Sequence, residues 1–393
     1  MDNISFIIGS GFSEPAGFPT TSKINERLKK IDASEVCRHN SGDTWFLDGD
    51  IDPNSHWRGI WERNFIQEFI QFYNGRVLAN GKEFHYECFY DYYHEYMVND
   101  NYPDDLSSFM QDFTRKYDLD KNAHDLLSQF NLCYNQLIAQ LLEKQFKQSH
   151  LAKPYHPSCD NFLNLVETLS KKYIVNLHSL NHDLYLEHLS CSDSIQSEMD
   201  DGFEEFASPY YGKLSAPDEK YMVRISRFTN KFIKPFRLFK LHGSIDYYWF
   251  KSKDNSELIR LPWGIGNTDV YKEVIENGLY KYEKDPLWYY PDFLSGTTYK
   301  TRQYSKGKYY PIIFDHFEKN LKTSEHLIII GYGFRDSEIN KYITDTFSIK
   351  ENKMIFIVDV KEPNTDLLKH PNVFYVPDGV VEMDNQSILN KII

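Results

Sequence analysis

The chain has 393 residues, 41% of them hydrophobic, which is enough for a sizeable core and for two or three structural units. Its net charge of −13 repels phosphate backbones at long range and argues against direct, non-specific nucleic-acid binding. The five cysteines are scattered without a C-x-x-C pair, which excludes a zinc ribbon and is typical of reduced thiols. Because no run reaches 18 apolar residues, we expect a soluble, cytoplasmic protein without a membrane span.

The first elements form a strand–helix unit that is followed by a long insertion. Residues 4–8 are an apolar run, which predicts a buried strand, and a helix is predicted to begin at Thr21 or Ser22. Residues 1–32 are therefore assigned to the first unit of an α/β core. After residue 32 the sequence shows loop-like and helical patterns. We therefore predict a helical insertion over residues 33–158, with helices at 61–73, 85–97 and 123–148.

The α/β pattern returns after the insertion. Residues 159–189 continue the core, with a helix at 160–170 and a strand at 173–177, and residues 190–234 are predicted to form a small insertion or flap. Residues 235–393 complete the core, although 251–310 are expected to be irregular. The remaining predicted strands are 236–241, 327–330, 354–358 and 373–376, and the predicted helices are 311–322, 337–347 and 388–393. Strands alternating with helices predict an α/β fold with a Rossmann-like parallel sheet.

Glycine or polar residues follow four of these strands directly. They are Gly9-Ser10-Gly11, Asn181-His182-Asp183, His242-Gly243 and Gly331-Tyr332-Gly333, and Asp359 follows a fifth strand. In an open α/β sheet, ligands bind beside the carboxyl ends of the strands. The four motifs therefore predict one crevice that is built from both ends of the chain.

The first glycine motif is suited to a phosphate. Gly9 and Gly11 would let the backbone approach a pyrophosphate, and Ser10 and Ser13 lie beside them. A standard dinucleotide fingerprint needs a third glycine where Glu14 stands, so the motif departs from that fingerprint. The alternative is a tight strand-to-helix turn without a ligand.

The other motifs carry groups for acid–base chemistry and for ribose binding. His242 at a strand end would be a general base, or alternatively a histidine that a backbone carbonyl satisfies. Asn181 and Asp183 would hold a water or a ribose hydroxyl, or would cap a helix. Asp359 would accept from adenosine ribose hydroxyls, or would be a turn residue.

Taken together, the motifs resemble the sirtuin-type NAD-binding fold, and more closely the sirtuin-like NAD-hydrolysing effectors of bacterial anti-phage defence. The sirtuin G-A-G-x-S, G-I-P-D-F-R, T-Q-N-I-D and H-G motifs are matched, in order, by residues 9–13, 17–22, 179–183 and 242–243. The turn Gly331-Tyr332-Gly333-Phe334 followed by Asp336 is typical of the defence branch. The resemblance covers about half the chain, in four pieces.

The sequence also departs from the sirtuin pattern. The zinc-binding cysteines of the deacetylases are absent, and Thr20-Thr21-Ser22 replaces the D-F-R of the substrate loop. A large helical insertion follows the first strand–helix unit. These departures remove support for a peptide-deacetylation groove and leave the pocket for NAD and the base in place.

The resemblance implies an activity and partners. NAD+ would be the substrate, cleaved to ADP-ribose and nicotinamide without a metal, in an abortive anti-phage response. In this reaction His242 would be the base, and Asn181 would orient the ribose or the water. A further group of residues would hold the phosphates and riboses: Gly9, Ser10, Gly11, Ser13, Asp183, Gly331, Tyr332, Gly333 and Asp359. A homo-oligomer and a HerA-type hexameric ATPase partner are expected, with contacts through the Tyr- and Phe-rich insertion. The alternatives are an NAD-dependent protein deacylase and a non-catalytic module that senses NAD or ADP-ribose.

Overall fold

The computed structural model describes most of the chain. The described residues are 1–39, 45–47, 56–57, 61–147, 159–187, 195, 198–215, 219–251, 256–262, 265–266, 268–284, 293, 309–347 and 353–393. Cys191, parts of the predicted insertion at 33–158 and part of the region predicted to be irregular at 251–310 lie outside these ranges.

The chain divides into two compact units. The sheet unit comprises Met1–Thr20, Gln145–Trp288 and Gln303–Ile393. The helical unit comprises Thr21–Lys144 and Tyr289–Arg302. The helix predicted after the first strand, Thr21–Lys29, belongs to the helical unit.

A seven-stranded parallel sheet forms the centre of the sheet unit, so the predicted α/β class with a parallel sheet is confirmed. We number its strands in chain order as β1 (Asp2–Ile8), β2 (Tyr173–Ser179), β3 (Met199–Asp200), β4 (Phe236–Lys240), β5 (Ser324–Ile330), β6 (Met354–Val358) and β7 (Val373–Val376). Their order across the sheet is β7-β6-β5-β1-β2-β4-β3. β1 is therefore central, between β5 and β2.

Both faces of the central strands are covered, which explains their almost continuous apolar sequence. On one face, Ile4, Phe6 and Ile8 join a hydrophobic cluster with the helices Asp160–Ser170 and Asn385–Ile392. The helix Tyr309–Thr323 packs against the sheet as well, and the helix Ser337–Thr346 packs against it in turn. The helices that pack on the two faces of the sheet hold the strands, and therefore their carboxyl ends, in place.

Two regions contain strands that were not predicted. The predicted flap at 190–234 contributes β3 to the central sheet, and residues 251–310, predicted to be irregular, contain three described strands. These regions build two four-stranded sheets, one of Tyr247–Lys251, Ser256–Arg260, Ser226–Phe228 and Phe203–Glu204, the other of Leu279–Lys284, Val270–Glu276, Tyr210–Ser215 and Lys220–Arg224. The missed signal is Asn277-Gly278, both at positive φ, which joins two strands in a tight hairpin.

The helical unit contains the predicted helices and one that was missed. Its helices are Thr21–Lys29, Trp61–Ala79, Tyr86–Asn99, Asp104–Lys116 and Ala123–Lys147, and a small sheet pairs Val36–His39 with Trp45–Leu47 and with His56–Trp57. Asp104–Lys116 was not predicted. Many of the unit's aromatic residues are buried in its own core, with Phe69, Phe89 and Phe130 in mutual edge-to-face contact. Whether the unit also contacts a partner stays a prediction.

The described helices do not include one that is both long enough and apolar enough to cross a bilayer. Cys37, Cys133 and Cys159 are buried free thiols and Cys88 is an exposed one.

Candidate active site

Backbone hydrogen bonds continue the sheet just past the strand ends and place the predicted motifs side by side. Gly9 N–H donates to Ile330 O (3.0 Å), and Gly331 N–H donates to Val358 O (3.0 Å). Beyond β1, Leu180 N–H donates to Ile8 O (2.9 Å), which brings the Asn181 motif beside Gly9.

The same pattern extends to both sides. Leu241 N–H donates to Ser179 O (2.9 Å), and Asp359 N–H donates to Val376 O (3.2 Å). Five consecutive strands, β6-β5-β1-β2-β4, thus present their predicted motifs at one edge of the sheet. This is the edge where α/β proteins bind ligands.

The glycine turn after β1 packs against the turn after β5. Gly11 N–H donates to Gly331 O (3.0 Å), and a Cβ added to Gly9 would lie 2.5 Å from the same oxygen. The turn continues as a short 3-10 helix, Ser10–Phe12, rather than as a long helix. Glycine is therefore needed here so that two backbones can touch.

Most of the amide groups predicted to hold a phosphate already donate within the protein. Besides Gly9 and Gly11, Phe12 N–H donates to Gly9 O (3.0 Å) and Ser13 N–H to Ser10 O (3.3 Å). A diphosphate at this turn would therefore have to be held by other donors than these four. Gly333 lies apart from the contact, because a Cβ added there would meet no atom within 4 Å.

Asn181 ties two of the motifs together. Its side-chain Nδ2 donates to Gly9 O and to Ser13 Oγ, each at 3.0 Å, and the residue is buried. Its backbone N–H donates to Ser179 Oγ (3.1 Å). Since both amide hydrogens are engaged, Asn181 would offer only Oδ1 to a ribose hydroxyl or to a water.

Asp183 is buried beside the same network. Its Oδ1 accepts from Tyr185 N–H (3.0 Å), so it closes a turn rather than capping a helix. Burial raises the pKa of Asp183, and the Ser13 hydroxyl and the nearby Lys240 ammonium oppose that rise. Ser13 thus links Asn181 to Asp183, and its contact with a phosphate stays a prediction.

A buried group of charged residues lies next to this turn and was missed from the sequence. Lys240, at the end of β4, donates to the backbone oxygen of Asp183 and pairs with Glu187 at 3.1 Å. Burial, and then the charge of Glu187, raises the pKa of Asp246 to about 7. The available signal was a lysine in an otherwise apolar strand end, Leu238-Phe239-Lys240-Leu241.

His242 follows β4 and is almost fully buried. Gly243, at φ +76°, closes a tight turn in which its N–H donates to Lys240 O (3.2 Å). The His242 and His182 rings lie 6.1 Å apart, centroid to centroid. The Nε2 atom of His242 faces Oδ2 of Asp336 at 3.5 Å.

Asp336 was quoted as part of a motif but was not predicted as a site residue. It caps the helix Ser337–Thr346, accepting with Oδ1 from Glu338 N–H (3.1 Å) and Ile339 N–H (3.3 Å). Tyr332 lies in the same turn, buried, with its hydroxyl 3.0 Å from Asp336 O. Tyr332 therefore supports the turn, and its contact with a ligand stays a prediction.

Asp359 stands at the far side of the edge. Its Oδ1 accepts from Lys361 N–H (3.1 Å), and its backbone oxygen accepts from the Tyr375 hydroxyl (3.0 Å). Asp359 therefore closes a turn, and its contact with a ribose stays a prediction. The carboxylate remains partly exposed and able to accept further hydrogen bonds.

Within the described ranges, no group of three or more His, Cys, Asp or Glu side chains is arranged to hold a metal ion.

The comparisons with known proteins find structural similarity only. No protein-family model matches the sequence, and no curated protein does. Solved structures that resemble the chain include a mutant Sir2 homologue with 2'-O-acetyl ADP ribose (TM-score 0.40, 11% identity, 99% of this chain and 91% of that one). A Sir2 homologue–NAD complex gives a TM-score of 0.39 at 11% identity, over 99% of this chain and 89% of that one. Sir2Tm bound to a propionylated peptide gives a TM-score of 0.36 at 9% identity, over 99% of this chain and 92% of that one.

Proposed function

We propose that this chain is an NAD+ glycohydrolase, which cleaves NAD+ to ADP-ribose and nicotinamide. The observation that carries the proposal is the meeting of the glycine turn at Gly9, the Asn181 turn and His242 on adjacent strands at one sheet edge. A dinucleotide is long enough to run along such an edge, with its diphosphate near the central glycines. The ordered match to sirtuin motifs supports the choice of NAD+.

The reaction requires the protein to orient NAD+ and to supply one general base. Nicotinamide is cationic in NAD+ and leaves as a neutral molecule, so no general acid is needed. Water attacks the ribose carbon, and His242 takes a proton from that water or from a ribose hydroxyl. Asn181 contributes by holding the glycine turn against Ser13 and by offering Oδ1 to the ribose side.

The test is nicotinamide release by the purified protein. Wild type is expected to convert NAD+ to ADP-ribose and nicotinamide, and His242→Ala to lower turnover on the order of 10²–10⁴-fold. His182→Gln is the matched control, because its ring lies beside that of His242 but has no proposed role. Equal turnover in wild type and His242→Ala would remove His242 from the mechanism.

The same assay separates the alternatives. A deacylase would need an acetylated peptide and would form O-acetyl-ADP-ribose, whereas a hydrolase forms free ADP-ribose without peptide. A sensing module would bind NAD+ without releasing product at any protein concentration. Assays with and without acetylated peptide, together with calorimetric binding, therefore distinguish all three.

We further propose that the hydrolysis serves anti-phage defence by depleting cellular NAD+, in a cytoplasmic homo-oligomer controlled by a HerA-type hexameric ATPase. These roles rest on the sequence resemblance alone. Cells that express this chain with and without the ATPase, challenged with phage while NAD+ is measured, test them. NAD+ levels that do not fall on infection in either strain would contradict the defence role.

A further inference from the structure

We infer that Asp336 is a positioning residue for His242: its carboxylate faces Nε2 of the imidazole and favours the tautomer in which Nδ1 is the base. This inference rests on the proposed hydrolysis, although its geometry can be tested separately. Asp336 Oδ2 lies 3.5 Å from His242 Nε2, and the two side chains are 19% and 5% exposed. A carboxylate that faces a buried imidazole at this distance interacts with little screening by water.

The contact requires the chain to cross the sheet edge. His242 follows β4 and Asp336 follows β5, and β1 and β2 lie between those strands. Three strand spacings correspond to roughly 14 Å. The turn after β5 therefore reaches over the ends of two strands to meet His242, passing the glycine turn with which it is in backbone contact.

Hydrogen bonds within the turn hold it in that position. The Tyr332 hydroxyl lies within hydrogen-bond distance of both Asp336 O (3.0 Å) and Asn340 Oδ1 (2.9 Å), and Asn340 Nδ2 donates to Phe334 O (2.8 Å). Phe334 itself is at φ +53°, a conformation that costs free energy in a non-glycine residue. These bonds fix where the Asp336 backbone lies.

The two carboxylate oxygens of Asp336 have different partners. Oδ1 accepts both capping bonds from the helix Ser337–Thr346, so the cap is complete without Oδ2. Oδ2 is the atom that faces His242. The cap thus fixes the carboxylate plane and aims its second oxygen at the imidazole, which a cap alone would not require.

An aimed carboxylate has two effects on a histidine base. It favours the tautomer with the proton on the nitrogen it faces, here Nε2, which leaves the lone pair on Nδ1. It also stabilises the imidazolium that forms once the base has accepted a proton. Both effects raise turnover without a direct contact between Asp336 and the substrate.

The experiment separates the cap from the charge. Asp336→Asn retains a good capping side chain but removes the carboxylate, so stability is expected to stay within about 0.5 kcal/mol of wild type. The kcat for nicotinamide release is expected to fall on the order of 10²-fold or more, with KM within about twofold. Asp336→Glu keeps the charge while weakening the cap and is expected to restore part of the turnover.

The matched control is Asp384→Asn. Asp384 caps the helix Asn385–Ile392 in the same way, accepting from Gln386 N–H (3.0 Å) and Ser387 N–H (3.3 Å). This substitution is expected to leave both kcat and stability unchanged. If Asp336→Asn retains half or more of the wild-type kcat, the positioning role is overturned, whereas the proposed hydrolysis stands.

A second measurement does not depend on turnover. In protein with ¹⁵N-labelled histidine, long-range ¹H–¹⁵N spectra report which ring nitrogen carries the proton, and His242→Gln assigns the signal. The neutral ring is expected to be protonated on Nε2 in wild type and to shift toward Nδ1 protonation in Asp336→Asn. A wild-type ring protonated on Nδ1 would overturn the inference even if hydrolysis is confirmed. A protein that releases no nicotinamide but shows the expected tautomer would overturn the function alone.

Discussion

The backbones of Gly9 and Gly331 are in contact where two neighbouring strands, β1 and β5, end. A Cβ added to Gly9 would come within 2.5 Å of Gly331 O, and one added to Gly331 would come within 2.5 Å of Phe12 N. Each of these atoms belongs to the backbone, so neither can move aside as a flexible side chain would. The close contact of the two turns therefore depends on both residues being glycine.

Gly331→Ala is accordingly expected to be strongly destabilising. Gly331 is at φ +60°, which alone costs about 1–3 kcal/mol for an alanine, and the overlap with the Gly11–Phe12 backbone adds to that cost. Urea unfolding measures the effect. Gly333→Ala is the control, since its Cβ would meet no atom within 4 Å, and is expected to change stability by less than about 0.5 kcal/mol. Equal stability of the two variants would contradict the packing argument.

A second prediction concerns the donors of Asn181. Asn181→Asp would replace two donated hydrogen bonds with a carboxylate that faces Gly9 O and Ser13 Oγ, both acceptors in the present arrangement. We expect a loss of about 2 kcal/mol or more in unfolding free energy, and weaker NAD+ binding in calorimetry. Asn181→Ala, which removes the donors without adding charge, is expected to be less harmful. An Asn181→Ala variant as stable as wild type would show that the donors do not hold the turn.

The sequence predicted the central sheet well where strands are continuous apolar runs. Met354–Val358 and Val373–Val376 have the predicted bounds, because Asp359 ends the first run and Pro377 ends the second. Asp104–Lys116 was missed, although Leu106, Met110 and Phe113 bury one helical face. The hairpin of Val270–Glu276 with Leu279–Lys284 was missed because its largely exposed strands lack an apolar run, even though Asn277-Gly278 marks its turn.

For the site, the position of the motifs could be predicted but their contacts could not. Apolar runs that end in Gly9, Leu180, Leu241 and Gly331 place these residues at one edge of a parallel sheet. The contact of Asp336 with His242 depends instead on the path of a turn over two strands, which no periodicity encodes. The hydrogen bonds of Ser13 with Asn181 and of Tyr332 with Asp336 likewise depend on tertiary packing, which the sequence pattern does not encode.

A third prediction tests the ribose role of Asp359. If this carboxylate accepts from an adenosine ribose, Asp359→Asn will raise KM for NAD+ about tenfold and leave kcat nearly unchanged, because the contact is equal in ground and transition states. Asparagine can still accept from Lys361 N–H, so the turn should persist. Asp366→Asn, at an exposed carboxylate paired with Lys369, serves as the control. An unchanged KM would leave Asp359 as a turn residue only.

A fourth prediction concerns acid stability and the fully buried His178. Its ring stacks on Phe239 (centroids 5.0 Å apart) and meets Phe317 edge-on (4.8 Å), away from water. Burial, and then the nearby His316, lowers the pKa of His178 to about 3. The unfolded chain takes up a proton near its usual pKa of 6.5, whereas the native ring does not, so wild type loses stability as the pH falls from about 6.5 toward 3.

His178→Phe removes this proton uptake while keeping an aromatic ring between Phe239 and Phe317. Between pH 8 and pH 5, the unfolding free energy of wild type is therefore expected to fall by about 2 kcal/mol more than that of the variant. Urea titrations at the two pH values measure the difference. The control is glutamine in place of the exposed His124, which should lose as much unfolding free energy between pH 8 and pH 5 as wild type does. If His178→Phe loses as much stability as wild type on acidification, His178 must be protonated in the native protein, and its burial among these rings would have to be given up.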